Sequence, residues 1–160
     1  MTTKQQPGLL LVNLGSPDSP SVSDVRRYLD EFLMDERVID SHVVIRNLVV
    51  RGIILNTRPK KSAEAYRKVW TDEGSPLIVI SRQLEQQVAG LWPGPVALGM
   101  RYGNPSIATA LEQLRQSGVG EIIVVPLYPH YSMSSYETAV EKALDDASSM
   151  SDPPRLHFLP

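Results

Sequence analysis

Residues 122–135 are IIVVPLYPHYSMSS, an apolar run followed by an aromatic, proline-rich loop. Four consecutive β-branched apolar residues, Ile122, Ile123, Val124 and Val125, predict a strand buried on both faces, as in the centre of a parallel sheet. The strand stops at Pro126. Beyond it Tyr128, His130 and Tyr131 alternate with Pro129, and a hydroxyl cluster runs through Ser132, Ser134 and Ser135. A rigid aromatic loop past the carboxyl end of a buried strand lies where open α/β sheets put their ligands.

Working outward, residues 9–14 (LLLVNL) form a second apolar run, interrupted by Asn13 and closed by Gly15-Ser16-Pro17. Ser21 with Asp24 resembles a capping box, and Val25, Tyr28, Leu29, Phe32 and Leu33 follow at helical spacing. The last turn of that helix, with Phe32, Leu33 and Met34, is expected to form an exposed apolar lip. Residues 34–55 are mixed, their second half fitting a helix that carries Arg46 and Arg51. Arg58-Pro59-Lys60-Lys61 is expected to open a further helix, and residues 77–91 another, with Leu77, Ile80, Leu84, Val88 and Leu91 inward.

After residue 95 the rhythm changes to short βα units. Residues 96–100 read as a strand, 105–118 as a helix, 137–148 as a helix and 156–159 as a fourth strand. Alternating strands and helices predict a doubly wound α/β fold, with a parallel four-stranded sheet flanked by helices. The helical stretch at about 21–91 is read as a lip or insertion within one half-domain over residues 1–160. A final strand without a covering crossover suggests the first half of a longer protein, whose other half, or self-association, covers an open face.

The formal net charge is −2, and no concentrated basic face points to nucleic acid. There is no cysteine, so this chain supplies neither a disulfide nor a thiolate ligand. No apolar run approaches the length of a transmembrane helix, and the polar N-terminus does not read as a signal peptide. The expectation is a cytoplasmic protein, peripheral at most to a membrane.

Three loops are expected at the carboxyl ends of strands: residues 14–17, 101–104 and 128–132. They hold aromatic rings, a guanidinium and small hydroxyls, and neither GxGxxG nor GxxxxGKS occurs. That content suits a flat, π-rich ligand with anionic edges. Arg46, Arg51 and Arg58 could pair with carboxylates bidentately, although Arg51 also fits a solvated helix face. The histidines, His42, His130 and His157, show no metal-ligand spacing. His130 is the one candidate for metal ligation or acid–base work, against a competing assignment as hydrogen-bonded scaffolding.

At these residues the sequence resembles the ferrochelatases, which insert ferrous iron into a porphyrin. The matching segments, in collinear order, are GLLLVNLGSP (8–17), FLMDERVI (32–39), RPKKSAEAY (58–66), GSPL (74–77), LGMRYGNPSI (98–107) and PLYPHYSMSS (126–135). The resemblance implies two similar α/β halves with the porphyrin between them, of which this chain resembles the first. It implies substrate contacts for Leu14 after the first strand, for Phe32, Leu33 and Val38 at the apolar lip, and for Arg58 beside a propionate. Tyr66 and Ser75 match the same mouth; Arg101, Tyr102 and Tyr128 match the inner pocket, and Ser132 joins them from the hydroxyl cluster.

The family's metal-proximal histidine and its glutamate lie in the second half, so no catalytic residue is assigned here, and the 160-residue chain alone is expected to be inactive. Met133 stands where some members carry a cluster-ligating cysteine, which implies a form without an iron–sulfur cluster. Porphyrin and ferrous iron are then substrates, with no cofactor required. Leu14, in place of a tyrosine found in the coproporphyrin branch, favours protoporphyrin IX. The alternatives are a coproporphyrin III ferrochelatase, a sirohydrochlorin or cobalt chelatase-like protein, and a non-enzymatic porphyrin- or haem-binding half-domain.

Overall fold

The computed structural model describes residues 6–159. Four strands, β1 (Gly8–Ser16), β2 (Val96–Gly103), β3 (Glu121–Pro126) and β4 (Arg155–Phe158), form one all-parallel sheet in the order β2-β1-β3-β4. The registers Leu10↔Val124 and Ile122↔Leu156 make β3 a central strand, as its composition requires. The helices are α1 (Val22–Leu33), α2 (Val43–Asn47), α3 (Leu55–Val69), α4 (Pro76–Ala89), α5 (Ile107–Gln116) and α6 (Thr138–Ser148). The doubly wound α/β expectation holds.

The chain divides into two compact units. One comprises residues up to Leu14, Ile80–Arg101 and Pro105 onward. Its core joins Leu10 and Val12 of β1, Ile122 and Val124 of β3, Ile107, Leu111 and Leu114 of α5, and Ala139 and Ala143 of α6. The opposite sheet face meets α4, where Asn13 Nδ2 donates to the buried Ser81 Oγ at 3.0 Å. Asn13 is thus the polar tie between strand and helix.

Burial along β3 alternates, however: Ile122 and Val124 are fully buried, whereas Ile123 and Val125 keep exposed surface. The expected burial on both faces is corrected to one face. The inward face assigned to residues 77–91 also fails, because Ile80, Leu84 and Leu91 are exposed and Ser81 is the buried residue of α4. Spacing identified an apolar stripe, but it does not face this unit's core.

The second unit comprises Gly15–Val79 and Tyr102–Asn104. Ser21 caps α1 by accepting the Asp24 N–H at 3.2 Å, as its spacing predicts. Leu33, Val50 and Leu55 form a small core with Phe32, Met34, Val38 and Ile39 packed against it. Leu33 is therefore not an exposed lip residue; Phe32 and Met34 are half-buried.

No new helix opens at Arg58. Backbone helicity runs unbroken from Val43 to Val69, passing through a π-helical segment, Leu48–Ile54, with Pro59 inside α3. Side chains serve the carbonyls of the widened turn: Asn56 Nδ2 donates to Gly52 O at 2.8 Å and Arg51 O at 3.1 Å, and Thr57 Oγ1 to Ile53 O at 2.9 Å. These bonds add side-chain donors to the wide turn, which lies just upstream of Pro59. Among the described residues, no helix is long and apolar enough to cross a membrane.

Candidate functional site

The residues singled out by sequence fall into two groups, one in each unit. In the second unit, aromatic rings make a continuous chain. Tyr66 meets Trp70 edge-on at 6.2 Å and Tyr28 at 6.4 Å; Tyr28 stacks on Phe32 at 6.2 Å; and Phe32 meets Tyr102 edge-on at 5.1 Å. Each separation lies in the range favoured by aromatic pairs. Helical spacing explains two links, since Tyr28 and Phe32 are four apart on α1 and Tyr66 and Trp70 four apart at the end of α3. Tyr66 is half-buried, and burial raises its phenol above the usual value. Ser75, just before α4, is buried.

Two sequence expectations change here. Arg101 and Tyr102 lie within β2, not in a loop, because the strand runs on to Gly103. Tyr102 is fully buried, with its hydroxyl donating to Asp35 Oδ2 at 2.8 Å. Asp35, a residue to which composition and spacing assigned no role, also accepts the Arg37 N–H on Oδ1 at 2.9 Å. A carboxylate two residues before a backbone donor in a turn was the available signal.

The three arginines also separate. Arg51 already forks onto Asp30, with Nε–Oδ1 at 2.9 Å and Nη2–Oδ2 at 3.3 Å. Arg46 is buried, its Nη1 donating to the Ile39 carbonyl at 3.2 Å and the Ser41 carbonyl at 3.4 Å. Arg58 is exposed, and no acceptor engages it among the described residues. Of the three, it alone presents a guanidinium to a carboxylate from outside.

In the first unit, parallel strands put Arg101 and Tyr128 at the same sheet edge. Arg101 Nε donates to Thr138 Oγ1 at 2.7 Å and to the Thr138 carbonyl at 3.1 Å. The Tyr128 hydroxyl is buried without a partner, and burial pushes its pKa up to about 12, partly opposed by the positive charge of Arg101. Pro126, Tyr128, Pro129, His130, Tyr131 and Tyr136 line a concavity of about 360 Å³. Tyr131 donates to Glu137 at 3.0 Å and leans against Tyr136, whose hydroxyl donates to the Leu159 carbonyl at 2.8 Å. Ser132 bonds Ser135 across the start of the π-helical turn Met133–Glu137.

Leu14 is half-buried near the end of β1. His130 is exposed, and no cluster of three metal-ligating side chains occurs among the described residues. The second unit offers an aromatic wall and the unengaged Arg58, the first an aromatic loop with a buried hydroxyl, and no nucleophile–base pair occurs among the described residues. The rings of the second unit are suited to holding a flat ligand.

Comparison with known proteins gives the same direction. The ferrochelatase family profile matches residues 6–160. The chain is 53% identical over 143 residues to a ferrochelatase of Opitutus terrae, covering 88% of this chain and 41% of that protein. It is 55% identical over 135 residues to one from Azotobacter vinelandii, covering 84% of this chain and 40% of that protein. A Pseudomonas fluorescens biotype C ferrochelatase is 52% identical over 136 residues, with the same 84% and 40% coverage. The chain thus spans about 40% of the length of the curated relatives it matches.

Proposed function

The chain belongs to the ferrochelatase family, and from that membership we propose that it is the porphyrin-binding N-terminal half of an enzyme inserting ferrous iron into protoporphyrin IX in haem biosynthesis. The observation that carries the substrate class is the set of half-buried rings Phe32, Tyr66 and Trp70, linked through buried Tyr28 and in the same unit as the unengaged Arg58. Porphyrin is a wide aromatic plate with carboxylates on one edge. Rings supply van der Waals surface for the plate, and a guanidinium forks onto a carboxylate.

In the reaction, a ferrous ion replaces two pyrrole N–H protons, and two protons leave. The nitrogen lone pairs reach the metal only when the ring leaves planarity, so a stiff aromatic wall assists by bending the plate with binding energy gained at its edges. The chain's own part is to hold, orient and deform the macrocycle. No proton acceptor in it is assigned to the pyrroles.

A surface contact accompanies this reading. Val44, Ile45, Leu48 and Ile53 are more than half exposed, on a helical run that continues into exposed Arg58, Lys60 and Lys61. Apolar side chains beside cations fit the headgroup region of an anionic bilayer, so we assign a peripheral membrane contact to this helix.

The test is iron insertion by the full-length protein, followed as loss of protoporphyrin fluorescence. Arg58→Ala is expected to raise the porphyrin KM about tenfold with a smaller change in kcat, the size of one charge-assisted hydrogen bond. A full-length protein without insertion activity overturns the enzymatic reading, and an unchanged KM removes Arg58 from the propionate.

A further inference from the structure

We propose that Tyr102 and Asp35 are positioning residues for the porphyrin wall: their hydrogen bond locks the segment bearing Phe32, Met34 and Val38, and neither side chain touches the ligand. The inference rests on the porphyrin reading above, and assigns these two residues a role acting through others. Tyr102 is fully buried, so its ring has no face to offer a macrocycle. It is spent instead on Phe32, edge-on at 5.1 Å, while its hydroxyl reaches Asp35 at 2.8 Å.

Asp35 passes the constraint on. Its Oδ1 accepts the Arg37 N–H at 2.9 Å, and its carbonyl accepts the Val38 and Ile39 N–H groups at 3.1 and 3.0 Å. One residue therefore organises the whole turn from Met34 to Ile39. The neighbouring Gly103 adds a second grip, its N–H donating to the Glu31 carboxylate at 2.9 Å. Gly103 has φ +78°, and a Cβ there would stand 2.7 Å from the Ser16 carbonyl oxygen, so the close approach requires glycine. The end of β2 thus grips the C-terminal end of α1 at a ring, a turn carboxylate and a helix carboxylate.

At the far end of the same segment, Arg46 draws in the carbonyls of Ile39 and Ser41. A wall held at both ends meets its ligand without an ordering cost, which is how preorganisation raises affinity. Replacing Tyr102 by Phe keeps the ring and removes only the directional bond. Replacing Asp35 by Asn keeps both links, because the amide oxygen accepts the Arg37 N–H and the amide nitrogen donates to the Tyr102 oxygen.

In the full-length protein, Tyr102→Phe and Asp35→Ala are each expected to raise the porphyrin KM about fivefold at little-changed kcat, the scale of one net hydrogen bond. The double variant should be no worse than the worse single one, since both cut the same link. Asp35→Asn should recover most of the loss; a role for the carboxylate charge itself would leave it as impaired as Asp35→Ala, and would overturn the positioning role. Hydrogen exchange at the Arg37, Val38 and Ile39 amides is the second readout, and should quicken in Tyr102→Phe. Unchanged KM with unchanged exchange overturns the proposal. If the unmutated protein binds no protoporphyrin, the functional reading fails by itself, and the lock then stands on faster exchange or falls on unchanged exchange.

Discussion

The hydroxyl of Tyr128 has a consequence for pH that its place in a proline-rich loop does not reveal. It is buried without a partner, and its pKa is pushed from 10.0 up to about 12. In the unfolded chain the phenol ionises near 10, so between 10 and 12 unfolding releases a proton that the fold retains. Stability present below pH 10 is therefore lost as pH rises towards 12. Tyr128→Phe should flatten that alkaline decline, and at neutral pH should be neutral or stabilise by about 1 kcal/mol, because a buried unsatisfied hydroxyl is removed. Thermal unfolding against pH, with tyrosinate absorbance, checks both; an undiminished decline in the variant would place the titrating group elsewhere. At this scale the sequence identified residue types well and their partners poorly. Spacing set Arg51 apart as fitting a solvated helix face but did not separate Arg46 from Arg58; the structure puts Asp30 on Arg51 and backbone carbonyls on Arg46. Tyr102 looked like a lining residue because nothing in its neighbours in sequence announces Asp35, 67 positions away.

Elements were readable where local chemistry sets them. Ser21 and Ser106 cap α1 and α5 by accepting the N–H three residues on, a rule contained within a few adjacent letters. The alternation of apolar strands with amphipathic helices gave the parallel sheet for the same reason. What failed depended on the ladder or on neighbours. Pro59 reads as a helix start, yet the helix passes through it, on from a π-helical turn whose carbonyls also receive the Asn56 and Thr57 side chains. The stripe on α4 reads as core, yet Ile80 and Leu84 are exposed and Leu77 and Val88 only half-buried, since periodicity gives a face without saying what covers it. Asn56→Ala removes two bonds to the wide turn and one from Arg26, and should lower unfolding stability by about 1 kcal/mol, with faster amide exchange confined to the Leu48–Ile54 segment and the start of α3. Exchange unchanged there would mean that the π turn stands without the bonds the Asn56 side chain donates to it.

Across these 160 residues, the formal charge of −2 supplies no long-range attraction to an anionic surface. Any membrane contact made by this chain must therefore come from a local feature. The helical run from Val43 to Val69 carries the groups for one: exposed Val44, Ile45, Leu48 and Ile53 at its start, and exposed Arg58, Lys60, Lys61, Arg67 and Lys68 later, against the single acidic residue Glu64. Two separable contributions follow, apolar insertion and attraction of roughly 1 kcal/mol per cation near a charged surface. The full-length protein should cosediment with vesicles containing phosphatidylglycerol and much less with pure phosphatidylcholine. Lys60→Glu with Lys61→Glu should weaken that binding by at least about tenfold. Leu48→Ser with Ile53→Ser should weaken it too, and should leave a remainder that about 0.5 M salt abolishes, whereas binding by the unmutated protein survives that salt in part. Both substitutions lie on exposed surface, so the fold and the ring chain are expected to persist, and unchanged porphyrin KM in detergent-free solution checks that they do. Equal binding to both vesicle types would remove the electrostatic part of the argument. Equal binding by the serine variant would leave the exposed apolar run without a membrane role.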